Sequence, residues 1–250
     1  MARYDFSAPR LFVEGDLSAG RDVALNRNQD HYLTNVLRLG NGGAVLAFNG
    51  RDGEWRCRLE GREGAATLSP ESRARDQPPA STLHLCFAPL KHARLDYMVQ
   101  KAVEMGAGVL QPILTRRTQA ARVNEERMRA NAVEAAGQCG ILAVPEVRAP
   151  LRFDVLLAGW DPERLAVFCD EDAEVADPVA ALRGARGGPA EVAVVIGPEG
   201  GFDEGERRAL LALPRALRLS LGPRILRADT AAVAALALVG AVLGDIAGLG

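Results

Sequence analysis

"VVIGPEGGFDEGE", Val194–Glu206, is the stretch on which the reading of this chain turns. With Val192 and Ala193 ahead of it, an unbroken apolar run ends at Ile196, a length that suits a buried strand. Gly197-Pro198-Glu199-Gly200-Gly201 then breaks regular structure. Asp203 and Glu206 have the spacing of a capping box, so a helix is expected to open there. A continuous apolar strand is the mark of a parallel sheet covered on both faces. In such sheets ligands bind beyond the carboxyl ends of the strands. Gly197–Gly201 falls at such an end, and its glycines let backbone approach a ligand and adopt positive φ. The N–H groups there could hold an adenine edge, a ribose or a phosphate; a plain strand–turn–helix connection would use the same residues. The loop lacks both G-x-G-x-x-G and the P-loop Lys-Ser/Thr, which argues against dinucleotide binding and against ATP binding by that route.

A second stretch repeats the design. In "LSLGPRILRADTAAVAAL", Leu219–Leu236, a strand runs into Gly222-Pro223, a basic turn carries Arg224 and Arg227, and a helix begins near Asp229-Thr230. Small residues Ala231 and Ala232 in its first turn permit close packing against a ligand or a neighbouring loop. If the two glycine loops are neighbours in the fold, they would make a cleft rather than a turn.

Working outward, residues 82–245 alternate strand-like runs with helical patterns. "TLHLCFAP", "GVLQPIL", "RLAVFCD", "EVAVVIG" and "ALRLSLG" read as strands. "KHARLDYMVQKAVEMG" carries Leu95, Met98, Val99 and Val103 at helical spacing and closes at Gly106. "NEERMRANAVEAAGQC" and "ADTAAVAALALVGAVLGD" are further helices. Residues 1–75 differ: "AVLAFNGRDGEWRCRL" has the turn residues of a hairpin, and a small barrel would hide the edges of such a segment. The proline-rich "PESRARDQPPAS", about residues 70–80, reads as a linker between domains 1–75 and 76–250.

Composition narrows the class. The opening residues lack an apolar leader, and Ala231–Leu243 is too short to span a bilayer. Cys57, Cys86, Cys139 and Cys169 form no CxxC pair, so no metal site is expected and a reducing cytoplasm is. Cys139 reads as a small core residue. The net charge of −2 conceals blocks: eight basic against four acidic groups in 78–133, five against fifteen in 134–206, six against two in 207–250. Such blocks are commonly solvated surface, but two basic ones can also fold into a positive face that meets nucleic acid.

The paired loops "IGPEGGF" and "LGPRILRADT" resemble those of the ribosomal RNA small subunit methyltransferase E family, in the SPOUT superfamily. "APRLFV" (8–13), "HYLTNVLRLGNG" (31–42), "QKAVEMGAGVLQPILTRRT" and "EAAGQCGILAVPEV" resemble further family segments, in order along nearly the whole chain. Departures include Arg117, Gly137, Gly140-Ile141 and Asp229, where the family commonly has other residues.

The resemblance implies S-adenosylmethionine as methyl donor, N3 of one uridine in 16S rRNA of the small ribosomal subunit as acceptor, and a homodimer without metal or membrane. It implies an α/β SPOUT domain with a parallel sheet and a deep trefoil knot from about Leu219, behind a PUA-like barrel. Ile196, Gly197, Pro198, Gly200, Gly201, Leu221, Gly222, Ile225, Leu226, Thr230 and Ala231 would hold the cofactor. Arg224 and Arg227 would steady a uridine anion or hold phosphate, and Glu199 and Asp229 are the carboxylates from which a base would come. Asp229 could equally be an N-cap and Glu199 a brace for its loop. For RNA, Arg10, Arg38, Lys91 and Arg116 lead, followed by His31, Arg94, Lys101 and Arg117. His84 reads as core, and Glu134 and Gln138 share one helix face. Rival readings are a SPOUT enzyme for another RNA position, a non-catalytic assembly factor with a retained pocket, and a nucleotide-dependent dehydrogenase.

Overall fold

Residues 8–61, 64–119, 122–170, 172–173, 177–185 and 191–244 are described in a computed structural model of the chain. The expected leaderless start, the outer ends of both domains, Asp245 of the last expected helix and part of the acidic block lie outside the described residues. The chain forms two compact units. One takes the chain up to Pro79 together with Ala136–Val144, the other Ala80–Ala135 together with the chain from Pro145.

In the first unit β1 (Arg10–Phe12), β2 (Val23–Ala24), β3 (Ala44–Phe48), β4 (Glu54–Glu60) and β5 (Thr67–Arg75) make one sheet in the order β1-β3-β4-β5-β2. The expected hairpin is β3–β4, with Ala44 opposite Arg58 and Phe48 opposite Glu54. Asn49 Oδ1 accepts the N–H groups of Arg51 and Asp52, and Gly50 and Gly53 take positive φ, which fixes the turn. Along β4, Trp55, Cys57 and Leu59 are buried while Arg56, Arg58 and Glu60 face solvent, the alternation of a strand with one wet face. Those three pack with Val13, Leu17, Leu33, Val45 and Leu68. No ladder joins β1 to β2 among the described residues, so the sheet is not closed by strand pairing; its edges are instead two very short strands.

Two expectations change here. β5 runs on through Arg75, so residues 70–75 are strand and the proline-rich connection begins at Asp76. Pro70 lies opposite Cys57 and Ser72 opposite Arg56, leaving Glu71 as the extra residue of a bulge; the irregular ladder is what accommodates a proline mid-strand. Arg10, expected on RNA, is instead internal. Its side chain is 6% exposed, its Nε donates to Glu54 Oε1 at 2.7 Å, its Nη1 donates to the carbonyls of Ala136 and Gly137, and its guanidinium lies over Phe48. Arg75 binds the other carboxylate oxygen of Glu54 at 2.6 Å. Burial pushes the Glu54 carboxyl up, but the Arg75 and Arg10 guanidiniums outweigh it and hold the group below its ordinary range. A depressed carboxyl adds stability above its unfolded pKa, and that stability is lost as pH falls through the folded value. Glu54→Gln should therefore cost about 2 kcal/mol near neutrality. The gap to the parent should narrow below about pH 4.5, as urea melts at both pH values would show.

In the second unit β6 (Leu83–Phe87), β7 (Val109–Leu114), β8 (Glu146–Val147), β9 (Leu151–Arg152), β10 (Leu165–Cys169), β11 (Val192–Ile196) and β12 (Ala216–Leu219) form a seven-stranded sheet. The order is β12-β10-β11-β6-β7-β8, with β9 also on β7, and every pairing is parallel. Leu85, Phe87, Val167, Phe168, Val194 and Val195 are fully buried, as a sheet covered on both faces requires. The helices are α2 (His92–Glu104), α3 (Glu125–Cys139), α4 (Phe153–Ala158), α5 (Pro178–Gly184), α6 (Glu204–Leu211) and α7 (Ala228–Val242), with α1 (Arg27–His31) in the first unit. The last turn of α3, from Ala136, counts with the first unit. Leu95, Met98, Val99 and Val103 of α2 are buried, as their spacing predicts.

The chain lays β7 and β8 to one side of β6 and later strands to the other, so the winding reverses between β6 and β11. Such a switch point leaves a crevice at the carboxyl ends of the strands.

Candidate active site

A cleft of about 590 Å³ opens at that crevice, within the size range of small-molecule sites. Its walls are the loop after β11 (Ile196–Phe202), the loop after β12 (Leu221, Gly222 and Arg224–Ala228), Ala231 of α7, Arg94 of α2, and Cys169-Asp170 at the end of β10.

The first loop is a tight turn. Gly201 N–H donates to Pro198 O at 2.8 Å, with Gly201 at φ +68°, a conformation that favours glycine. A Cβ on Gly197 would come within 3.0 Å of the Phe202 ring, so the backbone can lie this close only without a side chain. Phe202 is buried and packs on Phe153. Arg117 Nη1 donates to Gly200 O at 2.6 Å and holds the loop from outside. The expected capping box starts α6: Asp203 accepts from Glu206 N, and Glu206 returns to Asp203 N. Glu206 Oε1 also accepts the Arg116 N–H at 2.7 Å, so one carboxylate fixes the helix start and the exit of β7. Asp203→Ala should cost about 1 kcal/mol, the worth of a cap, read as a shifted urea midpoint with an unchanged slope.

The second loop places Gly222 at φ +99°. The N–H groups of Leu221 and Leu226, like those of Arg224, Ile225 and Arg227, meet no acceptor among the described residues, which leaves backbone donors at the cleft wall. Arg224, Ile225 and Arg227 are exposed, and neither arginine has an ion-pair partner among the described residues. Arg227 is also the backbone N-cap of α7.

Arg94 ties the two loops. Its Nε and Nη2 donate to the two oxygens of Asp229 at 3.1 and 2.9 Å, and its Nη1 donates to Glu199 Oε1. The bond to Arg94 holds the Asp229 carboxyl below its usual range, against a smaller opposing effect of burial. Asp229 in turn pushes the guanidinium further up. The N-cap reading of Asp229 is corrected: it is the second residue of α7, and its side chain faces Arg94. Glu199 does brace, through a guanidinium from α2 and not through its own loop's amides.

The expected cofactor residues Ile196, Gly197, Pro198, Gly200, Gly201, Leu221, Gly222, Ile225, Leu226 and Ala231 all line this one cleft, with Glu199, Arg224 and Arg227. Thr230 does not line it. Arg38, Lys91 and Arg116 are exposed; Arg116 reaches Asp203 at 3.2 Å. Lys101 pairs with Glu104. His31 Nδ1 meets Asn35 Nδ2 at 2.9 Å. His84 is buried, and loss of solvent moves its pKa down to about 4, so it is neutral core. Glu134 and Gln138 are exposed, and Cys139 is exposed, not core, because its helix ends there. Arg94 as a cleft residue, Cys169 and Asp170 were not anticipated. Arg94 comes to the cleft because it stands in the first turn of the helix after β6, the strand that pairs with β11. Asp170 is buried against Arg218 and Arg207, bracing the end of β10. Among the described residues no cluster of His, Cys, Asp and Glu could hold a metal, and no helix is long and apolar enough to cross a membrane.

Residues 77–240 match the RNA methyltransferase domain and residues 25–69 the RNA methyltransferase PUA domain. A parallel-sheet unit with this cleft, joined to a PUA-like unit, thus defines the chain as of the RNA methyltransferase class. The ribosomal RNA small subunit methyltransferase E of Synechocystis is 34% identical over 94% of this chain and 78% of its own length. That of Rickettsia conorii is 28% identical over 92% and 94%. The enzyme of that name from Neisseria gonorrhoeae, solved bound to S-adenosyl methionine, superposes with a TM-score of 0.79 at 25% identity, covering 93% of this chain and 97% of that one. A Legionella pneumophila protein in complex with the bound cofactor SAM gives 0.80 at 27% identity, covering 94% and 97%. The chain belongs to the ribosomal RNA small subunit methyltransferase E family.

Proposed function

We propose that this protein transfers a methyl group from S-adenosylmethionine to N3 of one uridine in 16S rRNA of the small ribosomal subunit. The observation that carries the reading is the cleft itself: two glycine loops, tied across by Arg94, Glu199 and Asp229, at the switch point of a sheet from this family.

The cleft fits the donor. Its volume suits a nucleoside, the Leu221 and Leu226 amides suit a base edge, and the Glu199 carboxylate in its wall suits a cationic group. Bound there, the cofactor supplies an electrophilic methyl on a sulfonium. The chain's own residues then position the acceptor and exclude water. Arg227 and Arg224, without an ion-pair partner among the described residues, stabilise the negative charge that develops when uridine N3 gives up its proton. Asp229, held ionised by Arg94, is a weak base and serves to orient. Glu199, half exposed at the rim, is the better placed of the two carboxylates to take the proton.

The first unit binds the RNA, and the protein works in the cytoplasm as a homodimer. The dimer reading is supported by α7, where Val233, Ala234, Ala237 and Leu238 form an apolar stripe only partly covered in one chain. The stretch from Leu219 into α7 is threaded as a trefoil knot; in support, β12 lies at the sheet edge beside β10 while α7 returns against β11 and α2.

The test is methyl transfer from labelled S-adenosylmethionine to small subunits from cells lacking the gene, with the modified nucleoside identified by mass. Label on uridine N3 is expected. Label on a ribose or another base would retain the cofactor and discard the acceptor; binding without transfer would favour an assembly factor.

A further inference from the structure

The first unit carries a surface that its core does not explain. After α1 the chain makes a π-helical turn, Tyr32–Val36, in which Leu37 N–H donates to Tyr32 O, five residues back. Such turns are rare and concentrate at functional sites. Arg38 follows at φ +52°, the one non-glycine with positive φ among the described residues. A strained arginine persists only where its surroundings hold it. Leu33 supplies the hold: it is fully buried, and its carbonyl accepts the Leu39 N–H at 2.8 Å. Asp30, also buried, accepts the Gly64 N–H at 2.6 Å.

The wide turn buries Leu33 and turns Tyr32, Val36 and Leu37 outward, 40%, 59% and 38% exposed. These are three of the seven large apolar residues exposed among the described residues, gathered within six positions. On either side of them in the chain, Arg27 and Arg38 are exposed without an ion-pair partner among the described residues. His31 and Asn35, bonded to each other, add donor and acceptor edges at the rim.

We infer that Tyr32–Arg38 is a platform for an unpaired segment of RNA: a base stacks on Tyr32 against Val36 and Leu37, and Arg38 and Arg27 take the flanking phosphates. Aromatic faces accept any base, and sequence-selective proteins commonly take RNA where bases are splayed from a helix. Two exposed arginines flanking the turn in the chain, neither with an ion-pair partner among the described residues, favour a polyanion over an apolar protein surface. The inference rests on the rRNA reading and deepens it by naming the surface.

The probe is a fluorescently labelled single-stranded RNA oligonucleotide of mixed sequence, with its duplex as comparison, titrated with the full chain at two salt concentrations. Tyr32→Ala is expected to weaken single-strand binding about tenfold, and Tyr32→Phe to keep it. Arg38→Gly is expected to weaken binding, flatten the salt dependence, and raise the melting temperature, since glycine relieves the backbone. S-adenosylmethionine affinity by calorimetry should be the same throughout. Equal RNA affinity in Tyr32→Ala and parent overturns the platform. Equal RNA affinity with lost binding to whole subunits also overturns it and assigns the surface to a ribosomal protein. Failure of the rRNA reading is separate: the parent then methylates no subunit, whatever its variants bind.

Discussion

Arg94→Ala should lower methyl transfer to the small subunit by about two orders of magnitude, the scale on which catalytic sites respond to lost positioning. Arg94 donates in bidentate fashion to Asp229, in the first turn of α7, and also to Glu199, on the loop after β11. Without it two carboxylates face one another with no cation between them, and the loops lose their common tie. The KM for S-adenosylmethionine should rise together with the fall in kcat, because one residue shapes the wall for donor and acceptor alike. Lysine should not restore activity: it places one charge but not the planar fork that spans both oxygens of Asp229. The side chain lies at the cleft and outside the strand core, so the melting temperature should move by only a few degrees. Steady-state kinetics of the three proteins, with melting curves, decide the point. A kcat within twofold of the parent would show the bridge to be incidental.

Arg227→Ala should reduce kcat by about 10²- to 10³-fold with the KM for S-adenosylmethionine little changed. The guanidinium is exposed at the cleft and meets no carboxylate among the described residues, so its charge is available to a developing anion. Its helix-starting role survives the substitution, because that role is the backbone bond from Ala231 N–H to Arg227 O at 2.8 Å. Single-turnover assays with saturating donor isolate the step. A loss appearing only as a raised KM for the subunit would move Arg227 from the reacting base to a phosphate.

The loops after β11 and β12 were legible as breaks at strand ends, because glycine and proline stop regular structure there, while their use as a site came from the resemblance of the pair. That they face one cleft was expected only on condition that the loops are neighbours, and strand order, which depends on pairings between distant segments, supplies that: β11 sits between β6 and β10, and β10 beside β12. The same limit hid Arg94, which reads as one more surface cation until β6 is known to lie beside β11. Arg10 failed in the opposite direction. Its charge suggested RNA, but the buried carboxylate of Glu54 and two backbone carbonyls claim it. Pro70 marked a linker by composition, and the bulge that lets a strand carry it leaves no sign in a single sequence. Asp229, expected as the cap, is instead the second residue of α7, and its carboxylate takes both the Thr230 N–H of its own helix and the fork of Arg94.

The return of Ala136–Val144 to the first unit bears on the order in which the protein is completed at the ribosome. Arg10 needs the carbonyls of Ala136 and Gly137, and Gly137 lies against Phe48. A nascent chain released only as far as Pro79 holds every strand of the first sheet but none of these partners. Translation from Ala80 to Val144 takes on the order of several seconds at ordinary elongation rates. Through that interval the Arg10 guanidinium can meet Glu54 and Phe48 but not the two carbonyls of α3, and the first unit reaches its final packing after much of the second has already been made. A fragment cut at Pro79 would remain permanently at that halfway stage.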